Sequence, residues 1–270
     1  MAASSAGASA GGGRRLADLA QLALLLAAIG WVVLHGAGGL GYNWQWYRIP
    51  PYLIRIVDGT VIWGPLLRGL GVTLEISAAG LGLTLAIGLV TALLRTSRSF
   101  AGRLLAGLYI QLVRNTPLLV QLYLFYFVLA PILGIGRFWT AILCLAVFEG
   151  SFAAEIFRAG IASVPKGQFE ASDSLGLGPY ARFRRVILPQ ALQLMLPPLT
   201  GQAVSLIKDS SIVSVIAIFD LTNEGRTIIS DTFMSFEVWF TVAAIYLVLT
   251  VSLSAVASRF ERRVARYRRS

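Results

Sequence analysis

Cysteine, histidine and lysine are nearly missing from this sequence: one Cys (Cys144), one His (His35) and two Lys (Lys166 and Lys208) in 270 residues. A single cysteine excludes a disulfide framework within the chain, and one Cys with one His cannot build a zinc cluster. Cys144 lies in an apolar run and reads as a small apolar packing residue. Charge is also scarce. Charged residues make up 13% of the chain, against about 25% in a typical soluble domain, so most of the chain never needs to face water. There is no G-x-x-x-x-G-K-[ST] phosphate loop, and neither lysine follows a Gly-rich turn of that form. No Ser/His/Asp set, metal cluster or pair of active-site acids can be assembled at aqueous depth, which speaks against an enzyme. The net charge of +10 would suggest nucleic acid in a soluble protein. Here the aromatic residues sit inside apolar runs rather than between arginines, which speaks against that partner.

What is present is apolar length. Apolar residues reach 56%, and the mean hydropathy is +0.73. The chain is read as an all-α transmembrane protein with six predicted spans and short connectors. Residues 1–13 are Ala, Ser and Gly after the Met and are expected to be disordered. Residues 14–36 form an N-terminal span. Its apolar run is long for a signal-peptide core and no clear A-x-A site ends it, so we favour a retained span. Residues 37–67 carry Trp44, Trp46, Tyr47 and the pair Pro50-Pro51, as an extracytoplasmic loop with one piece lying on the membrane surface would. Further spans are expected over about 70–94, 116–133, 138–160, 194–220 and 237–258. Residues 100–114 are amphipathic, and 221–236 form a short loop. Pro117 suits the start of the third span, and Pro131 with Gly134 its end. Residues 259–270 form a basic tail.

Orientation follows from the arginines. With the N-terminus inside, seventeen of the 23 Lys and Arg fall on the cytoplasmic side: Arg14 and Arg15; Arg95, Arg98, Arg103 and Arg114; Arg158, Lys166, Arg182, Arg184 and Arg185; and six in the tail. The opposite side holds Arg48, Arg55, Arg68, Arg137 and Arg226. This bias gives an N-in, C-in chain.

The polar stretch 162–190 has internal order. Pro165-Lys166-Gly167 reads as a turn. A short helix is expected from Glu170 to Leu175, with the acid near its positive end, and Gly176, Gly178 and Pro179 closing it. A second helix over about 180–188 carries Arg182, Arg184 and Arg185, and Pro189 breaks the path before the fifth span. The stretch is either a docking surface for a cytoplasmic partner or a solvated basic loop that only sets topology.

Glu170-Ala171-Ser172, Gly176 and Val186-Ile187-Leu188-Pro189 stand at the spacing E-A-A-x3-G-x9-I-x-L-P. This resembles the EAA loop of ABC importer permeases, departing at Ser172 and Val186 by small changes in size. The resemblance extends from about residue 66 onward through Arg114-Asn115-Thr116-Pro117-Leu118-Leu119-Val120-Gln121, Ala154-Glu155-Ile156-Phe157-Arg158, Pro165-Lys166-Gly167-Gln168 and Lys208-Asp209-Ser210-Ser211. Together these look like the polar amino-acid uptake branch (histidine, glutamine and glutamate types). The resemblance implies a five-span type I importer core over 68–258, preceded by one extra span, in the bacterial cytoplasmic (inner) membrane. It implies that Glu170, Ala171, Ser172, Gly176, Leu188 and Pro189 couple to a separate ABC ATPase dimer, which binds ATP and Mg, with no cofactor in this chain. It also implies a sister permease or second copy, and an extracytoplasmic amino-acid-binding protein. Trp44-Gln45-Trp46-Tyr47 and Glu149-Gly150 resemble members associated with acidic amino acids.

An ionisable group in mid-membrane costs several kcal/mol, so it is paired or lines a polar path. Glu155 and Arg158 stand at i, i+3 and read as an ion pair. Lys208-Asp209 with Ser210 and Ser211 reads as a break in the fifth helix, with substrate contact as the alternative. Glu149 has no cation at i±3 or i±4. It is expected to line the pathway and meet the α-ammonium of an amino acid, with an inter-helix hydrogen bond as the alternative. Gln121 and Asn115 are weaker candidates for the same path. The function expected is ATP-driven import of a polar, possibly acidic, amino acid. The alternative is an ion-coupled carrier, a class that often shows internal repeats; none is seen.

Overall fold

The computed structural model describes residues 18–28, 30, 31, 35 and 41–266, with side chains to Arg259. The expected disorder of 1–13, the pair Arg14-Arg15 and the end of the tail lie outside the described residues. The chain divides into two units, Met1–Trp46 and Tyr47–Ser270. In the first, the described helix is α1 (Asp18–Ala28), apolar but too short by itself to cross a membrane. Trp44 and Trp46 stack there with ring centroids 6.1 Å apart.

The second unit begins with α2 (Pro50–Leu53) and a hairpin of β1 (Ile54–Val57) and β2 (Thr60–Trp63). It continues through α3 (Pro65–Thr96), α4 (Phe100–Arg114), α5 (Leu118–Leu124), α6 (Ala130–Leu133) and α7 (Arg137–Ala162). Then come α8 (Lys166–Ser174), α9 (Pro179–Arg182), α10 (Leu188–Asp209), α11 (Leu221–Thr232) and α12 (Ser235–Arg266). Among the described residues, α3, α7 and the stretch Ser235–Arg259 of α12 are long and apolar enough to cross a membrane. A fourth span exists if α4 and the α5–α6 segment, bent by 109°, count as one. The expected third span thus shares its path with residues 100–114. The expected fifth corresponds to α10, whose interior Pro197, Pro198, Lys208 and Asp209 dilute its apolar character. Residues 221–236 are not a plain loop, because most of them form α11.

The unit is organised around α7. Two-thirds of its apolar window is buried (67%), against 6% for α12, which lies at the edge. α3 packs along α7 through small residues. A Cβ on Gly88 would come within 2.7 Å of Ala153 Cβ, so only a glycine lets the two helices approach this closely. One apolar cluster joins Ile76, Leu122, Ile142, Leu145 and Val213. A second, at the C-terminal end of α7, joins Ala92, Ala153, Phe157, Val164, Ile187 and Met195.

Two prolines expected to stop helices do not. Pro131 lies inside α6, and the end falls at Gly134, which is left-handed at φ +65°. Pro189 lies in the first turn of α10, and the path from Pro179 to Asp209 is unbroken. In both places a π-helical turn precedes the proline, Phe125–Leu129 and Phe183–Ile187. Ala130 N donates to Phe125 O, and Leu188 N donates to Phe183 O. A proline lacks the N–H its preceding turn needs, and its ring crowds the carbonyl four residues back. One widened turn makes room for the ring while keeping the helix continuous.

Candidate functional site

Two groups of residues stand out, one on the polar stretch 162–190 and one inside the helix assembly. The first group is built on α8. This helix begins at Lys166, four residues before the expected start, so Glu170 lies in its middle rather than at its positive end. The reason is Pro165, which caps the helix and accepts from Gln168 N at 2.9 Å. The C-terminus is a Schellman motif. Leu177 N donates to Ser172 O (3.1 Å), Gly176 N donates to Asp173 O (2.9 Å), and Gly176 is left-handed at φ +69°. Ser172 is buried, and its Oγ donates to Phe169 O at 2.7 Å. Phe169, Phe183 and Val186 pack onto the Val164–Ile187 cluster, which holds α8 against the base of α7 and α10. Arg182 pairs with Asp173 at 2.5 Å and ties α8 to α9. The result is a short helix fixed from below, with Glu170, Ala171 and Gly176 exposed above. Leu175 and Tyr180, also apolar or aromatic, are 78% and 73% exposed beside them. Leu188 is half-buried and Pro189 exposed, where the chain turns upward.

The inner group is built on α7 and α10. Glu149 is buried, and Gln202 Nε2 donates to its Oε2. This is the inter-helix hydrogen bond held as the alternative reading. Its other oxygen is buried without a hydrogen-bond partner of normal geometry. The Asp209 carboxyl is its electrostatic neighbour. Gln202 and Asp209 are seven residues apart and share a face of α10. Gly150, next to Glu149, faces Ile87 and the Tyr109 hydroxyl, and that hydroxyl donates to Val147 O at 2.5 Å. After Asp209 the helix tightens into a 3-10 stretch, Ser210–Ile216. Ser210 Oγ donates to Ile207 O (2.8 Å) and receives Ser77 Oγ at 3.4 Å. The expected break at Lys208-Asp209 is thus a change of helix type in which serine bonds to backbone.

Glu155 and Arg158 form the expected pair, with two hydrogen bonds of 2.9 and 3.0 Å. Arg95 of α3 joins them at 2.9 Å from the other carboxyl oxygen. Gln121 is buried at the α4–α5 bend, where its amide donates to Val113 O (2.8 Å), Thr116 O (3.1 Å) and Thr116 Oγ1 (2.7 Å). Asn115 is exposed and donates to Gln111 O at 2.7 Å. Both hold the bend, and the structure does not bring them to Glu149. Arg114 lies 5.0 Å above the Phe152 ring.

Sequence reasoning passed over several groups. Gln202 is a single amide in an apolar stretch and says nothing about which helix it meets. Glu75 sits in the second expected span, where hydropathy averaging hides it, and it is exposed on α3. Lys208, already singled out in the sequence, is exposed on α10, and neither it nor Glu75 is in an ion pair among the described residues. Asp220 is buried and caps α11 by accepting from Asn223 N (3.0 Å) and Thr222 N (3.3 Å). Burial pushes the Asp220 carboxyl up, while these backbone N–H groups pull it down by a smaller amount. No cluster of metal-ligating side chains occurs among the described residues.

Residues 84–266 match a family described as binding-protein-dependent transport system inner membrane component. The chain is 38% identical over 213 residues to the glutamine transport system permease protein of Escherichia coli K12, covering 77% of this chain and 97% of that one. It is 35% identical over 208 residues to the octopine transport system permease protein of Rhizobium radiobacter, covering 73% and 84%. The fold is similar to a crystal structure of an amino acid ABC transporter with histidines (TM-score 0.69, 39% identity, 74% of this chain and 94% of that one). It is also similar to an inward-facing MetNI methionine ABC transporter (TM-score 0.64, 25% identity, 74% and 96%).

Proposed function

Because this chain belongs to the family of binding-protein-dependent transport system inner membrane components, we propose that it is the permease subunit of an ATP-driven importer of polar amino acids in the bacterial inner membrane. The observation that carries the reading is the 38% identity across 97% of a permease named for glutamine transport. The amino acid enters from an extracytoplasmic binding protein. ATP and Mg are bound by a separate ATPase dimer.

In this reading the chain has six spans, N-in and C-in. α3, α7 and α12 cross directly, α4–α6 and α10 cross as bent or broken spans, and residues 14–36 supply the sixth. Residues 37–67 and α11 then face outward, while α8 and the 259–270 tail face the cytoplasm. Support comes from the arginine bias, since an excess of Lys and Arg marks the cytoplasmic side. α8 docks the ATPase through Glu170, Ala171 and the apolar pair Leu175 and Tyr180, with Ser172, Gly176, Leu188 and Pro189 fixing its attitude. A second transmembrane subunit, either a copy or a sister, meets Glu75 and Lys208. These are two ionisable groups at span depth that find no ion partner among the described residues.

The pathway passes Glu149, Asp209 and Ser210, with Lys208 at its border with the second subunit. Two carboxyls lie near one another on the path, and Gln202, which bonds Glu149 across the helices, is neutral, so the path favours a visiting cation over an anion. The α-ammonium of an amino acid is such a cation. Two carboxyls would repel an acidic side chain, so a neutral polar amino acid fits better than an acidic one. Gln121 and Asn115 position the bend that borders this path.

The test is uptake of labelled glutamine into proteoliposomes holding the permease, its ATPase and its binding protein. ATP-dependent, vanadate-sensitive uptake is expected. Uptake that needs an ion gradient and ignores vanadate would establish the ion-coupled carrier instead. Glu149→Gln is expected to lower uptake at least tenfold, and wild-type transport with unchanged substrate preference would remove Glu149 from the path.

A further inference from the structure

The β1–β2 hairpin has no role in the import cycle described above. Its register is Ile54↔Trp63, Arg55↔Ile62, Ile56↔Val61 and Val57↔Thr60. Cross-strand partners share a face, and neighbours along a strand alternate. One face is therefore Ile54, Ile56, Val61 and Trp63, all apolar. The other is Arg55, Val57, Thr60 and Ile62, which holds both polar groups of the strands. Arg55 Nε donates to Pro51 O at 3.1 Å, and Thr60 Oγ1 donates to Val57 O at 2.6 Å. The turn between the strands is Asp58-Gly59, both at positive φ (50° and 74°), the pairing that gives a two-residue hairpin its tight reversal. Every strand residue is exposed, Ile56 and Trp63 to 75% and 64%.

A lone two-stranded hairpin is marginal in water, so a surface of this kind needs a cover. Its attachment says what the cover is. β2 ends at Trp63 and the membrane-crossing α3 starts at Pro65, with one residue between. That residue, Gly64, is buried against the Tyr52 backbone, and its N–H donates to Leu53 O at 2.7 Å. The hairpin is thus clamped at the point where α3 enters the bilayer and has no length of linker with which to leave it. A Trp on the apolar face and an Arg on the opposite one are the residue types that settle at the headgroup level.

We propose that the β1–β2 hairpin lies on the outer leaflet, with Ile54, Ile56, Val61 and Trp63 in the headgroup–acyl boundary and Arg55 and Thr60 toward water. It anchors the outer end of α3 to the lipid surface. The inference rests on the reading that the helices of this unit cross a membrane in the N-in orientation proposed above, which is what makes the leaflet the outer one. The experiment therefore carries its own control for that reading.

Spin labels are placed singly at Ile56→Cys, Val61→Cys, Arg55→Cys and Thr60→Cys in a Cys144→Ala background. A fifth is placed at Val248→Cys on the exposed side of α12. The full chain is reconstituted with its partner ATPase in phospholipid vesicles without binding protein. Oxygen and a water-soluble nickel chelate serve as relaxing agents. The oxygen-to-nickel ratio is expected to be several-fold higher at 56 and 61 than at 55 and 60, and high at 248. A low ratio at all four hairpin positions, with 248 still high, overturns the hairpin proposal alone. Exclusion of both agents at 56 and 61 also overturns it, because a protein surface rather than lipid then covers the face. A low ratio at 248 as well would overturn the membrane reading on which the proposal rests.

Discussion

Glu155 serves two arginines from two helices, and this asymmetry can be measured. All three side chains are partly exposed, so each pair contributes at most about 1 kcal/mol. Glu155→Gln removes both pairs, whereas Arg158→Gln removes one. The thermal midpoint of the purified complex is expected to fall further for the acid than for the arginine. The i, i+3 spacing made the Arg158 pair readable in the sequence. Arg95 was not readable, because nothing in a linear string says that a residue sixty positions earlier lies alongside. The same holds for Gln202 and Glu149. At Asp220 the cap and the burial oppose one another. Asp220→Ala is expected to cost about 1 kcal/mol or more through loss of the N-cap, and Asp220→Asn less, since Asn caps as well as Asp. The carboxyl is held above its ordinary value, so the folded protein binds this proton more tightly than the unfolded chain does. Stability from this group therefore falls as pH rises from the ordinary carboxylate range into the mildly acidic range. Unfolding midpoints across that range should show a slope in the wild type that Asp220→Asn removes.

At the scale of elements, the prolines are the lesson. Sequence reasoning treats Pro131 and Pro189 as stops because a regular α-helix cannot pass them. The chain passes both by widening the preceding turn, a solution with no signature in residue type. Removing the cause should remove the widening. Pro189→Ala restores the missing N–H, and a regular turn then advances α9 by about one residue, or 100° of rotation, relative to α10, carrying α8 with it through the Arg182–Asp173 pair. The expected result is a folded complex with normal ATP binding but ATPase activity that no longer responds to binding protein. The α3–α7 contact is a second element-level feature. Gly88→Leu drives a branched side chain into Ala153 and should destabilise by about 1–3 kcal/mol, read as a lower midpoint, whereas Gly82→Leu, in open space on the same helix, should not. The small-residue content of α3 was visible in the sequence. Which glycine touches a neighbour was not, because that depends on the face turned to α7.

For the whole molecule, the long apolar helices were legible from composition, since hydropathy needs no partner. The bent α4–α6 path, the helix α11 and the polar contact between α7 and α10 were not, because each depends on what another element presents. The contrast between buried α7 and peripheral α12 gives the unit an inside and a lipid side. In the proposed reading the exposed charges Glu75 and Lys208 meet the second transmembrane subunit. Native mass spectrometry of the complex in lipid discs is expected to find two transmembrane subunits, and Glu75→Leu with Lys208→Leu should leave each chain folded but change the fraction paired. The uninterrupted helical path from Pro179 to Asp209 has a mechanical meaning. At about 1.5 Å per residue its 31 residues follow a contour of about 46 Å. A π turn and the Pro197-Pro198 pair interrupt its regularity, and such places are where helices bend. In the proposed transport cycle, motion at the α8 end therefore reaches Glu149 and Asp209 along one covalent path with two built-in hinges rather than through a stiff lever.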